Sequence, residues 1–161
     1  MKTQRNPQLN LKLDTNAPDP AQRWHEGSAI AFLGGTLTLA LGSEHREALR
    51  AGGTLYLPLP PLATPRQIQD RAEAWLREEA KRYLTPLIAQ KSTLGTRQAP
   101  RLVLSFAARG HWVEVQDAET LRCNWRLIEQ TPAVIEAAIT RAMATLPPKE
   151  RSFDLFDIAL A

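Results

Sequence analysis

The sequence predicts an α+β fold: an antiparallel or mixed sheet that opens with an N-terminal β-hairpin, one long helix, and a second helix packed against the sheet. Three observations predict it. Two amphipathic helical patterns, each opened by Thr-Pro, begin at Thr64 and Thr131. Runs of strand alternation precede each of them. The chain has 161 residues, 43% hydrophobic and 23% charged, which supplies one core rather than two.

Residues 1–23 are polar, with Pro7, Pro18 and Pro20, and are expected to form a partly mobile arm ahead of one domain over 24–161. Ser28 to Leu33 and Thr36 to Leu41 read as hairpin strands around a Gly34-Gly35 turn. Gly42 to Gly53 reads as a loop, with a helical turn at Glu44 to Arg50. Thr54 to Leu59 is a third strand, ended by Pro58, Pro60 and Pro61. Thr64, Pro65 and Gln67 make a capping box, and Ile68, Ala72, Trp75, Leu76, Tyr83, Leu84 and Leu87 recur at helical spacing as far as Ala89. Pro86 falls in the last turn. Lys91 to Pro100 reads as a polar loop. Leu102 to Ala107, Trp112 to Val115 and Leu121 to Leu127 read as strands; the last puts Leu121, Cys123, Trp125 and Leu127 on one face and Arg122, Asn124 and Arg126 on the other. The second helix follows Thr131-Pro132, with Val134, Ile135, Ala138, Ile139, Ala142, Met143 and Leu146 as its apolar face, and stops at Pro147-Pro148. Residues 150–160 are expected to add a short terminal helix.

Composition excludes several classes. No apolar run approaches the roughly 18 residues of a membrane span; the most apolar stretch, Ala29 to Leu41, is broken by glycines. The first residues lack a secretory pattern. The single cysteine, Cys123, makes no intrachain disulfide, so a reducing, cytoplasmic setting is expected. Twenty Lys and Arg against 17 Asp and Glu give a net charge of +3. In the first helix, Arg66, Arg71, Arg77, Lys81 and Arg82 alternate with Asp70, Glu73, Glu78 and Glu79, the pattern of a solvated, self-paired face. His25, His45 and His111 lie in separate segments without zinc-ligand spacing. Strand alternation makes Cys123 a small core hydrophobe; a nucleophilic role would need His111 as base.

Three stretches together carry a family resemblance: LYLPLPPLATPRQIQDRAEAWLREEAKRYL at 55–84, Trp112 with LRCNWRLI at 121–128, and TPAVIEAAITRAMATL at 131–146. They resemble the bacterial YgjP-like metallopeptidase-domain family, relatives of the SprT-like zincins. That family has a strand, a proline-marked turn and a helix rich in WLREEA. It has an Arg-Trp-Gly-Ser-Cys loop followed by Leu-Asn-Trp-Arg-Leu, with twelve residues from Trp to Asn, as from Trp112 to Asn124 here. It then has a helix carrying His-Glu-Leu-Ala-His, and an Asn-His-Ser-Pro turn. The resemblance spans about residues 24–158 and implies a zincin-like scaffold.

Its zinc chemistry needs two histidines at i and i+4, a Glu as general base, and a third histidine. Carried over position by position, these fall on Arg141, Thr145, Ala142 and, near the third ligand, Arg151. His111 replaces the loop's Arg, and Val113, Glu114 and Val115 replace Gly-Ser-Cys. Arginine repels a metal, alanine accepts no proton, and threonine is a weak ligand. The expectation is a dismantled zinc site: no metal, no cofactor and no catalytic residue. Arg141, Ala142, Thr145, Arg151, His111 and Glu114 are instead candidates for lining a binding cleft, with Glu114 or Glu136 as partners for Arg141. The implied protein is a catalytically inactive homologue, a binding or regulatory protein that uses the zincin scaffold and takes a protein or peptide in the former substrate cleft. Two alternatives are a metal-independent enzyme rebuilt around Arg141 and His111, and a weakly basic nucleic-acid-associated module. No membrane contact is expected.

Overall fold

The computed structural model describes residues 12–14, 23–94, 98–107 and 109–147, with residues 12–14, 93, 94 and 109 entering through their backbone alone. In chain order the elements are β1 (Lys12–Asp14), β2 (Ala29–Phe32), β3 (Gly35–Leu41), β4 (Leu49–Ala51), β5 (Thr54–Leu57), α1 (Pro65–Leu94), β6 (Arg101–Ser105), β7 (Arg109–His111), β8 (Val113–Asp117), β9 (Thr120–Asn124), a 3₁₀ helix (Trp125–Glu129) and α2 (Pro132–Thr145). The architecture is α+β. One sheet has the order β2-β3-β5-β4, another β6-β9-β8, and β1 pairs with β7. Both larger sheets are mixed: β3–β5 and β6–β9 run parallel, and the other pairs antiparallel. No described helix is long and apolar enough to cross a membrane.

The hairpin forms as the alternation predicts, but its turn is Leu33-Gly34 rather than Gly34-Gly35; Gly35 already pairs with Phe32. Both turn residues have positive φ, 48° at Leu33 and 79° at Gly34, which matches the turn twist to that of the strands. The turn is held from outside, because the Leu33 and Gly34 amides donate to the carbonyls of Ile128 and Glu129 at 2.8 and 3.2 Å. The segment expected to be a loop with a helical turn instead carries β4, which returns through Gly52-Gly53 to pair with β5. All three β4 residues are exposed, so no alternation marked it.

The capping box at the start of α1 is present: the Thr64 amide donates to Gln67 Oε1 at 2.8 Å, and the Gln67 amide to Thr64 Oγ1 at 3.3 Å. Ile68, Ala72, Leu76, Ala80, Leu84 and Ile88 form the buried stripe of α1. Arg66–Asp70, Lys81–Glu78 and Arg82–Glu79 pair within the helix as the solvated pattern predicts, but the Arg77–Glu73 pair is half-buried, with the Arg77 guanidinium over the rings of Phe106 and Trp125. The helix runs through Pro86 to Leu94 rather than ending near Ala89, so the loop expected from Lys91 begins later. One bond within the helix and one to α2 accompany the extension. Ser92 is buried and its hydroxyl donates to the Ile88 carbonyl at 2.7 Å, while Lys91 donates to the carboxylate of Glu136 on α2.

The strand expected from Leu121 to Leu127 ends at Asn124, and Trp125–Glu129 is 3₁₀ helix. Asn124 is the reason. Expected on the polar face, it is buried; its Oδ1 accepts the Arg126 amide at 3.0 Å and its Nδ2 donates to the Ala107 carbonyl at 2.9 Å. The side chain caps the helical turn and stops the strand. α1 touches β5 of one sheet, β6 of the other, the 3₁₀ helix and α2, so the core lies around one long helix. The terminal helix expected over 150–160 lies outside the described residues.

Beside that core, Glu129 sits against Arg126, whose Nε donates to its Oε1 at 3.1 Å. Burial raises the Glu129 carboxyl above its ordinary value of 4.5, and Arg126 only partly opposes this. A carboxyl raised in the fold contributes stability that is present below its ordinary value and lost as pH rises through the raised one. Wild type is therefore expected to lose stability relative to Glu129→Gln as pH climbs from 4.5 towards neutrality. Urea unfolding at a series of pH values checks this, and parallel curves for the two proteins would refute it.

Candidate functional site

The cleft that concentrates the candidate residues forms where α2 lies beside β8, an end strand of its sheet. Thr131 fixes the start of α2: its hydroxyl oxygen accepts the Val134 amide at 3.3 Å, and Pro132 occupies the first turn. Ile135 and Ile139 are buried and hold the helix to the core. Ala138, Arg141, Ala142 and Thr145 are three and four positions from one another, so they share a face beside that stripe and form one wall. The other wall is His111, Trp112, Val113, Glu114 and Val115. The chain bends at Trp112, between β7 and β8, and the consecutive residues Val113, Glu114 and Val115 all line the one cavity. Its volume is about 470 Å³.

Five of the six residues singled out from the sequence line this cleft: His111, Glu114, Arg141, Ala142 and Thr145. Arg151 lies outside the described residues. His111, Glu114, Arg141 and Thr145 are exposed and Ala142 is half-buried. Glu136 does not belong to the cleft lining; its carboxylate accepts from Lys91. Sequence reasoning left out Trp112, Val113, Val115 and Ala138, which give the cleft its apolar lining. The strand alternation and the helical period were visible, but the seating of one element on the other was not.

The zinc chemistry implied by the resemblance meets a donor set that does not fit it. Arg141 brings a cation, and Ala142 brings no donor. The Thr145 hydroxyl donates to the Ala142 carbonyl of its own helix at 2.8 Å. Only His111 and Glu114 offer ligating atoms in the cleft lining, against the three or four a zinc site uses. Among the described residues no group of three His, Cys, Asp or Glu side chains could hold a metal ion.

Cys123 lies in β9, fully buried, directly across from Val113. Burial pushes its thiol up to about 12, the opposite of what a nucleophile needs. The folded protein is expected not to react with a disulfide reagent at pH 8 until urea unfolds it. Rapid stoichiometric labelling of the folded chain would show instead an accessible, activated thiol.

Comparison with known proteins agrees with the architecture. The sequence profile described as YgjP-like, metallopeptidase domain, matches residues 6–139, most of the chain, and its span includes α1, the β8 side of the cleft, the 3₁₀ helix and the first half of α2. Neither the curated proteins nor the solved structures yield a match. The chain therefore belongs to the YgjP-like family, through its metallopeptidase domain.

Proposed function

We propose that this chain is a non-catalytic member of its family that uses the cleft between β8 and α2 to bind an extended segment of another protein. One observation carries the reading. At the positions where the family resemblance puts zinc ligands and the general base, an arginine, an alanine and a threonine line a cleft beside an end strand. An end strand offers main-chain donors and acceptors to an added strand, and neighbouring side chains set its specificity. Arg141 and Glu114 stand on opposite walls and supply opposite charges; Val113, Val115 and Ala138 accept apolar side chains between them. Arg141 favours a carboxylate in the bound segment, which it meets with a planar fork of donors.

The test is selection of peptides from a random display library on the full chain, followed by titration against Arg141→Glu. The charge reversal is expected to weaken selected peptides about tenfold, roughly 1.4 kcal/mol. Zinc titration by calorimetry runs beside it. Peptides indifferent to Arg141→Glu, or one equivalent of tightly bound zinc, would retire the reading.

A second reading draws on the convergence of His111, Glu114 and Arg141 in the one cleft: a metal-independent enzyme built from those three side chains. It requires turnover that survives chelation and disappears in His111→Ala.

A further inference from the structure

His111 belongs both to the cleft lining and to the ladder that holds β1. Lys12 stands opposite His111, Leu13 opposite Gly110, and Asp14 opposite Arg109, in antiparallel register. The N-terminal end of β1 therefore points towards Trp112 and β8, the strand side of the cleft. The chain's own backbone is already paired with β7, the strand that leads through the bend at Trp112 into β8. We propose that β1 is an internal competitor for this site: a bound segment that follows β8 past Trp112 must displace β1 from β7, and the paired arm holds the cleft in a low-affinity state. The proposal rests on the reading of the cleft as a site for an extended segment.

The ladder suits this role. It is three residues long and two-stranded, and an isolated pair of that size is marginal in water. Its few hydrogen bonds oppose the entropy of ordering the arm. Among the described residues β1 pairs with no strand other than β7. Elements with so few contacts open at much lower cost than the whole domain does. β8 differs, because β9 pairs with it at Val113, Glu114, Val115 and Asp117 and α2 lies against it. Release of β1 thus uncovers β7 while β8 keeps its partners β9 and α2.

The experiment uses the full chain and the variant Leu13→Pro/Asp14→Pro. Neighbouring strand residues point their amides to opposite sides, so one of the two prolines removes a donor facing β7. The probe is a fluorescein-labelled peptide with the sequence of residues 8–16, QLNLKLDTN, followed by anisotropy. Hydrogen exchange is read at 109–111. An arm docked about nine-tenths of the time leaves about a tenth of the molecules competent, so the variant is expected to bind the probe about tenfold more tightly than wild type. The amides of β7 are expected to exchange faster in the variant, with α1 and β9 unchanged. Equal exchange at 109–111 in the two proteins overturns the proposal, because the arm is then not docked in solution. Faster exchange without tighter binding also overturns it, because β1 is then a strand and not a competitor. Failure of the cleft reading itself has another signature: display selection on the proline variant returns no peptide sensitive to Arg141→Glu, whatever β7 exchange shows.

Discussion

Replacing Leu127 by alanine is expected to lower the unfolding free energy by about 3 kcal/mol, within the range found for fully buried leucines. Leu127 has no exposed surface and sits in the 3₁₀ helix that packs on α1 and β2. That short segment joins parts that otherwise meet little. Asn124 caps it, and its residues Ile128 and Glu129 accept the hairpin-turn amides. A cavity there loosens both sheets from α1 together, so neighbouring elements cannot collapse to fill it cheaply. Urea unfolding measures the change, with the slope against urea preserved if only stability is affected. Leu62→Ala is the control, because Leu62 is 94% exposed and should shift stability by less than about 0.5 kcal/mol. A Leu127→Ala cost equal to that of the control would show that the segment is not what unites the fold.

The second large effect is expected at Gly34. A Cβ there would lie 2.6 Å from Thr131 Cγ2 and 3.0 Å from Thr131 Cα, at a backbone φ of 79°. Left-handed backbone costs a side chain roughly 1–2 kcal/mol, and displacing Thr131 endangers the cap of α2, worth about 1 kcal/mol. Gly34→Ala is therefore expected to cost about 2–4 kcal/mol in total. Its damage reaches the cleft, because Thr131 sets the start of the helix that forms one wall. Thr131→Ser keeps the capping hydroxyl and removes the clashing methyl. Combined with Gly34→Ala it should recover about 1 kcal/mol relative to additivity. Strict additivity in that cycle would mean that the two residues do not press on each other.

Much of this was legible in the sequence, and the exceptions have physical reasons. Both helices were marked by their caps and by apolar residues at helical spacing, signals internal to the segment. The end of α1 was not, because the residues from Lys91 are polar and Lys91 bonds a partner 45 residues away, Glu136. The 3₁₀ helix was disguised by LRCNWRL, whose alternation continues after the strand stops. A buried asparagine side chain, invisible to hydrophobic patterning, ends the strand there. β4 and β1 are short and β4 is wholly exposed, so neither carried a pattern. The cleft residues on α2 came from position-by-position comparison with a family motif. Its apolar lining did not, since Val113 and Val115 read only as strand hydrophobes until a helix was seated beside them.

The two hydrogen bonds from the hairpin turn to Ile128 and Glu129 also bear on how the protein is made. The turn leaves the ribosome early, but its acceptors follow roughly a hundred residues later. At synthesis rates of about 5–20 residues per second, the interval is on the order of 5–20 s. For that time the inner face of the first sheet, and the buried stripe of α1 once it has been made, lack the segment that covers them. Nascent chains should therefore be at their stickiest just before the 3₁₀ helix emerges, and chaperone demand should fall sharply once it does.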